Sequence, residues 1–156
     1  MQYRLYKPED FAQLYAVEEA CFEPEFRFSR ALMRDLVSSK EAATWVAEDD
    51  SEIAGFAIVE WARKAQSFTA YIATIEVLQQ KRRLGIGHEL LRLAEQSAQA
   101  AGAEDVWLHV DAENAGAIRL YEAHGYQRKG AKANFYPRGR TALLYAKKIA
   151  QHIRPQ

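Results

Sequence analysis

Apolar and polar positions alternate around Tyr3 and Leu5, the spacing of a first strand. From Pro8 the period lengthens. Phe11, Leu14, Tyr15 and Glu18 fall on one helical stripe over residues 8–21, and Pro8, Glu9 and Asp10 suit its first turn, where proline is tolerated and acids favour the helix dipole. The pattern breaks over residues 23–28, and Ser29 is placed to cap a second helix carrying Leu32, Met33 and Leu36. Residues 44–48 and 53–61, separated by Asp49-Asp50-Ser51, predict a hairpin. Residues 71–78, rich in β-branched and aromatic side chains, predict the next strand. Leu90, Leu91, Ala94, Ala98 and Ala101 line one face of a long helix that Gly102 is suited to end. A strand over 106–110 follows, then a helix over 114–124 with Ala117, Leu120, Tyr121 and His124 on one stripe and Gly125 behind it, and a last strand over 141–148. The order β-α-α-β-β-β-α-β-α-β joins a hairpin to βαβ-like crossovers. It predicts an α/β chain with a mixed sheet and helices on both faces.

A length of 156 residues predicts a single domain over 1–156, large enough to bury roughly two-thirds of its unfolded surface. Hydrophobic residues at 49% and charged residues at 27% exclude wholesale disorder. Lys and Arg (21) balance Asp and Glu (21), which excludes a globally basic nucleic-acid binder, so no nucleic-acid partner is expected. The lone cysteine, Cys21, excludes an internal disulfide framework and a multi-cysteine metal site, and it reads as packing rather than as a nucleophile. No metal-ligand spacing occurs. No run approaches 18 apolar residues and the first ten residues lack a signal-peptide core, so a cytoplasmic location away from the membrane is expected.

The stretch that carries chemistry is residues 75–91. A strand ending at Ile75-Glu76-Val77 runs through Lys81-Arg82-Arg83 into Gly85-Ile86-Gly87-His88 and then a helix. The first amides of a helix lack internal partners and, with the dipole, form an anion site. Gly85 and Gly87 let a phosphate approach the backbone, and the basic run adds positive charge. The P-loop sequence is absent and the dinucleotide fingerprint is incomplete, since Leu90 stands where its third glycine belongs. A plain glycine turn is the competing reading.

Arg82-x-x-Gly85-x-Gly87 resembles the R/Q-x-x-G-x-G/A signature of the GNAT superfamily of acyl-CoA-dependent N-acetyltransferases, with Gln79 in place of the usual proline and Arg83 in place of a common glycine. Neither departure removes a backbone N–H. Asn114-x-x-Ala117-x-x-Leu120-Tyr121-Glu122-x-x-Gly125-Tyr126 resembles the second signature of the same family. The resemblance spans most of the chain. It implies the family's fold, acetyl-CoA as co-substrate without a metal, a pyrophosphate held at Arg82, Arg83, Gly85, Ile86, Gly87 and His88, and a pantetheine arm paired with the strand at Ile75 and Val77 and bonded by Asn114. It also places Tyr121 near the CoA sulfur as general acid, a role that suits a phenol, whose pKa of about 10 keeps it protonated at neutral pH.

Each of these residues has a plainer reading. Tyr121 shares a stripe with Ala117 and Leu120 and reads equally as core, and Asn114 is a good helix cap in its own right. For the base, His109 stands five residues before Asn114 where similar N-terminal acetyltransferases often carry a glutamate, and an imidazole titrating at about 6.5 suits the task. Its other reading is a hydrogen-bonded core residue. Glu76 is the second candidate base, its alternative being a carboxylate facing solvent or a lysine.

The acceptor expected is a peptide or protein α-amine. At pH 7 an α-amine of pKa about 7.8 is roughly one-seventh neutral, a lysine amine about once in a few thousand. Asn134-Phe135-Tyr136 and the residues after them resemble a segment of ribosomal-protein alanine N-terminal acetyltransferases, with Thr141 in place of an aspartate. This implies that Tyr136 lines the acceptor cleft, although a packed hairpin aromatic reads as well, and Phe28 in the irregular segment after the first helix joins it. Two alternatives stay open: a small-molecule amine (polyamine, amino acid or antibiotic) as acceptor, or a catalytically silent acyl-CoA-binding module. A monomer or a homodimer is equally compatible with the sequence.

Overall fold

In the computed structural model, which describes residues 1–149, strand β1 (Gln2–Leu5) leads through a 3₁₀ turn at Pro8–Asp10 into α1 (Phe11–Cys21). Residues 150–156 of the expected 1–156 domain lie outside the described residues. There follow α2 (Arg30–Ser38), β2 (Ala42–Asp49), β3 (Glu52–Lys64), β4 (Ser67–Val77), α3 (Ile86–Ala101), β5 (Asp105–Asp111), α4 (Ala115–Ala123), β6 (Gln127–Tyr136) and β7 (Arg140–Lys148). The local signals act as expected. Ser29 Oγ accepts from the Leu32 amide at 3.1 Å and starts α2. Gly102, left-handed at φ 107°, ends α3. At the first turn, the Asp10 carboxylate takes the Lys7 amide (2.7 Å) and both arms of Arg4 (2.8 and 2.9 Å), tying β1 to α1.

The strands form one sheet in the order β1-β2-β3-β4-β5-β7-β6, antiparallel except where β4 runs parallel to β5. Each face carries a core. Phe11, Leu14 and Met33 from α1 and α2 pack on Val46, Phe56 and Ile58. On the other face Leu90, Leu91, Ala94 and Ala98 of α3 and Tyr121 of α4 pack on Val59, Ile72, Val106 and Leu108. Adjacent Ile58 and Val59 serve opposite cores, which is the strand period expressed as two layers. No helix among the described residues is long and apolar enough to cross a membrane.

One strand exceeds the expectation. The sequence pattern predicts no strand at β6, which lies at the sheet edge with nearly every side chain exposed and so carries no alternation of apolar and polar positions. The β3–β4 hairpin is also longer than expected, because its tip at Arg63 and Lys64 is exposed and polar.

The feature that makes a site is the failure of β4 and β5 to stay together. They pair only from Thr69 with Asp105 to Tyr71 with Trp107. Immediately beyond, the β3–β4 register slips. Ile58 faces Thr74 and Val59 faces Ile72, leaving Ala73 as a bulged residue. A bulge increases twist and bends its strand. Thr74 to Val77 therefore follow β3, while β5 continues along β7 to Asp111, and a wedge opens between the two strands.

Candidate active site

Aromatic side chains from three strands and one helix meet at the wedge. Tyr71, the last residue of β4 paired with β5, has its hydroxyl 2.9 Å from Nδ1 of His109 on β5. The Tyr71 ring packs on Trp107 at 4.4 Å. Phe135 of β6 stacks on the His109 imidazole at 4.4 Å and 26°, and Tyr136 meets Phe135 edge-on at 5.0 Å. Tyr121, buried under α4, has Tyr136 and Tyr71 as its electrostatic neighbours, and its hydroxyl makes no hydrogen bond among the described residues. Tyr71, His109, Tyr121 and Tyr136 thus form one group drawn from four elements.

Their protonation states follow from burial. Desolvation, then the Lys132 ammonium, holds His109 below its ordinary value, so the imidazole is neutral at pH 7. Desolvation pushes the Tyr121 phenol up, with Tyr136 and Tyr71 adding to it, so Tyr121 keeps its proton well into alkaline solution. Tyr71 and Tyr136 shift the same way, again chiefly through burial. The wedge therefore holds a neutral imidazole, able to take a proton, and protonated phenols, able to give one.

At the open end of β4 the chain turns into α3. Gly85 sits at φ 80°, a conformation a side chain would strain, and the first helical bond runs from the Glu89 amide to its carbonyl at 3.1 Å. The amides of Ile86, Gly87 and His88 precede that bond and have no helical partner. A Cβ added at Gly85 would meet nothing within 4 Å, and one at Gly87 only Leu120 at 3.5 Å. Protein packing thus does not demand glycine at Gly87, whereas a close ligand would. A pyrophosphate fits this cradle. The basic run divides on inspection. Lys81 pairs with Asp49 at 2.7 Å, and Arg82 turns back to donate to the Val77 carbonyl (2.9 Å) with Cys21 Sγ at 3.9 Å, while Arg83 stays exposed with a left-handed φ of 67°. Ile75 and Val77 turn their side chains to the α3 core on the strand that lines the wedge. Asn114 caps α4 by accepting from the Ala117 amide at 3.1 Å, and His88 Nδ1 meets His124 Nε2 at 2.8 Å.

Phe28 lies on the loop between α1 and α2. Its carbonyl accepts from the Tyr15 hydroxyl (2.6 Å) and its amide donates to Glu18 (2.8 Å). The turn after Tyr136 reaches this loop through Arg138, which bridges Glu23 at 2.7 Å and Glu25 at 2.6 Å beside the Phe26 ring. Phe28 and Tyr136 therefore sit on two loops tied to each other.

Glu76 departs from its expected surroundings. It faces neither solvent nor a lysine: it is 3% exposed, takes the Thr74 hydroxyl at 2.8 Å and pairs with Glu18 of α1. The groups in contact with His109 do not include it. The sequence pattern does not single out Tyr71 or Phe135. No spacing rule reveals Tyr71, whose partner lies 38 residues away, and Phe135 carried a signal only as an aromatic beside Tyr136.

A sheet split beside a glycine-led helix start, with titratable side chains in the split, fits a CoA-dependent acyltransferase. The acetyltransferase (GNAT) family model matches residues 9–126; the chain belongs to that family and is an acetyl-CoA-dependent N-acetyltransferase. It is 34% identical over 115 residues to an N-alpha-acetyltransferase of Sulfurisphaera tokodaii, covering 68% of this chain and 69% of that protein. It is 38% identical over 87 residues to the streptothricin acetyltransferase of Streptomyces lavendulae, covering 56% of this chain and 45% of that protein. The fold matches the ribosomal-protein-S18-alanine N-acetyltransferase of Escherichia coli with a TM-score of 0.84 at 23% identity, over 99% of this chain and 97% of that one. It matches Arabidopsis thaliana NAA60 in complex with acetyl-CoA with a TM-score of 0.86 at 22% identity, over 95% and 98%.

Proposed function

We propose that the chain moves the acetyl group of acetyl-CoA to the α-amine of a peptide or protein N-terminus, in the cytoplasm. The observation that carries this reading is the Tyr71–His109 contact in the wedge, with Phe135 stacked on the imidazole. The groups touching His109 are aromatic. Two carboxylates lie further out, Glu60 towards Tyr71 and Asp111, paired with Arg140, towards Tyr136; a peptide main chain between Phe28 and Tyr136 needs apolar walls and backbone partners. The relative named for α-amine acetylation supports the same acceptor.

In this reading the amides of Ile86, Gly87 and His88 hold the pyrophosphate, and Gly85 shapes the turn. The thioester supplies the activated acetyl group. His109, with Nδ1–H donating to the Tyr71 oxygen, takes the ammonium proton at Nε2 and leaves a nucleophilic amine. The amine nitrogen bonds to the acetyl carbon as the C–S bond breaks; Tyr121 gives its proton to the departing thiolate and regains one from the new amide nitrogen, and its raised pKa keeps that proton available. Glu76 is outside this relay.

The streptothricin acetyltransferase relative favours a second reading, a small-molecule amine as acceptor. Release of CoA thiol against peptides with free or blocked α-amines, lysine-bearing blocked peptides and polyamines separates the two. Turnover that vanishes when the α-amine is blocked is the expected result. Turnover with polyamines or another small amine alone would replace the peptide reading with the second one.

A further inference from the structure

Two carboxyl groups lie buried together between α1 and β4, away from His109. Glu18 is 1% exposed and Glu76 is 3% exposed. Each has one oxygen satisfied: Glu18 Oε2 accepts the Phe28 amide at 2.8 Å, and Glu76 Oε2 accepts the Thr74 hydroxyl at 2.8 Å. Each has its other oxygen, Oε1, buried with no donor. Two ionised carboxylates cannot satisfy one another, since both only accept. An orphan buried oxygen costs about 1–3 kcal/mol and a buried unpaired charge more, so two side by side demand a donor. A single proton supplies it for both, because a protonated carboxyl donates and its partner accepts.

The placement gives that proton a task. Glu76 stands in β4 between Ile75 and Val77, on the strand that borders the wedge, and Glu18 holds the amide of Phe28 on the α1–α2 loop. From these contacts the geometry points to one conclusion: Glu18 and Glu76 share a proton, and this carboxyl pair is a positioning device that fastens the acceptor-side loop to the cofactor strand. The inference rests on the peptide-acceptor reading only for the meaning of the loop.

The surroundings leave few other ways to charge or discharge the pair. From α1 it is faced by Cys21, from β4 by Thr74, and from the turn after β4 by Arg82, which reaches towards Cys21. The neighbour across β3 is Phe56, a member of the buried core on this face of the sheet. Burial, then Glu18 itself, pushes the Glu76 carboxyl well up. A carboxyl whose pKa is raised on folding binds its proton more tightly in the native state. The stability it confers is therefore lost as pH rises above the unfolded value of about 4.3.

The test uses the whole chain and needs no acceptor for its first arm. Glu76→Gln replaces the shared proton with a permanent amide donor and keeps an oxygen for Thr74. Glu76→Ala leaves Glu18 Oε1 orphaned. Urea unfolding is followed from about pH 5 to 9, with amide exchange at Phe28 corrected for its intrinsic pH dependence. Relative to E76Q, which keeps every other titrating group, the wild type is expected to lose stability and Phe28 protection as pH rises, and E76A to lose Phe28 protection about tenfold or more throughout. In the second arm, E76A raises KM for the acceptor while KM for acetyl-CoA and kcat stay within about twofold. A pH profile identical in wild type and E76Q would overturn the shared proton. Unchanged Phe28 exchange in E76A would overturn the positioning role. Failure of the peptide-acceptor reading is seen separately, as wild-type inactivity on every free α-amine, and leaves the first arm decisive.

Discussion

The Tyr71 hydroxyl and the His109 imidazole meet at 2.9 Å across the point where β4 and β5 part. Neither strand contains the pair; the parting of the strands makes it. If His109 takes the amine proton, His109→Ala lowers kcat by about 10²–10⁴-fold while the urea midpoint changes little, because the ring is partly exposed. Tyr71→Phe removes the partner and should lower kcat less. Steady-state thiol release checks both. A His109→Ala enzyme with wild-type kcat would remove the histidine from the mechanism.

The acid limb of the rate profile carries a further expectation. Burial and Lys132 hold His109 below its ordinary value, so kcat/KM should fall only as pH drops below about 6.5. Lys132→Gln withdraws a positive charge and moves that limb towards higher pH. A limb that stays in place, measured at low salt, would mean that Lys132 does not act on the base.

Tyr121→Phe removes a hydroxyl that bonds to nothing among the described residues. The fold should survive with its melting temperature nearly unchanged, while kcat drops by about 10²-fold or more. Since burial raises the phenol, the wild-type rate should not decline through tyrosine ionisation below about pH 10. Equal kcat in the two proteins would return Tyr121 to the core.

Gly87→Val places a branched side chain at the helix start. The neighbouring Leu120, 3.5 Å from an added Cβ, tolerates the first carbon, so folding is expected. Binding of CoA, measured by titration calorimetry, should weaken by about tenfold or more as the cradle fills. Gly85→Ala instead strains the backbone at φ 80° and should cost about 1–2 kcal/mol of stability.

Asp10 tests the anchoring of β1. Arg4, then the Lys7 amide, holds its carboxyl below the usual range against the opposing effect of burial. A depressed carboxyl contributes stability above its unfolded value of about 3.9, and that stability is lost as pH falls through the folded value. Asp10→Asn should therefore lower the urea midpoint at pH 7 by the equivalent of about 1–3 kcal/mol, with a smaller difference at pH 3.

Much of this protein was legible in its sequence. The caps at Ser29 and Asn114, the stop at Gly102 and the glycine turn with its free amides at Gly85–Gly87 are local matters. Each depends on a few consecutive residues and on the backbone groups those residues leave free, so their order along the chain is sufficient. The family signatures at Arg82–Gly87 and Asn114–Tyr126 are local in the same sense.

The rest was decided only by folding. β6 escaped notice because an exposed edge strand has no buried face to impose a period. Tyr71 meets His109 only because the bulge at Ala73 turns β4 away beyond it. Glu76 reads in sequence as a solvent carboxylate or a candidate base. The packing of α1 on β4 places Glu18 against it and removes water from both. Periodicity reports how a residue relates to its neighbours in the chain. Proton transfer depends on distance and dielectric between residues far apart in it, and those are fixed by the tertiary structure.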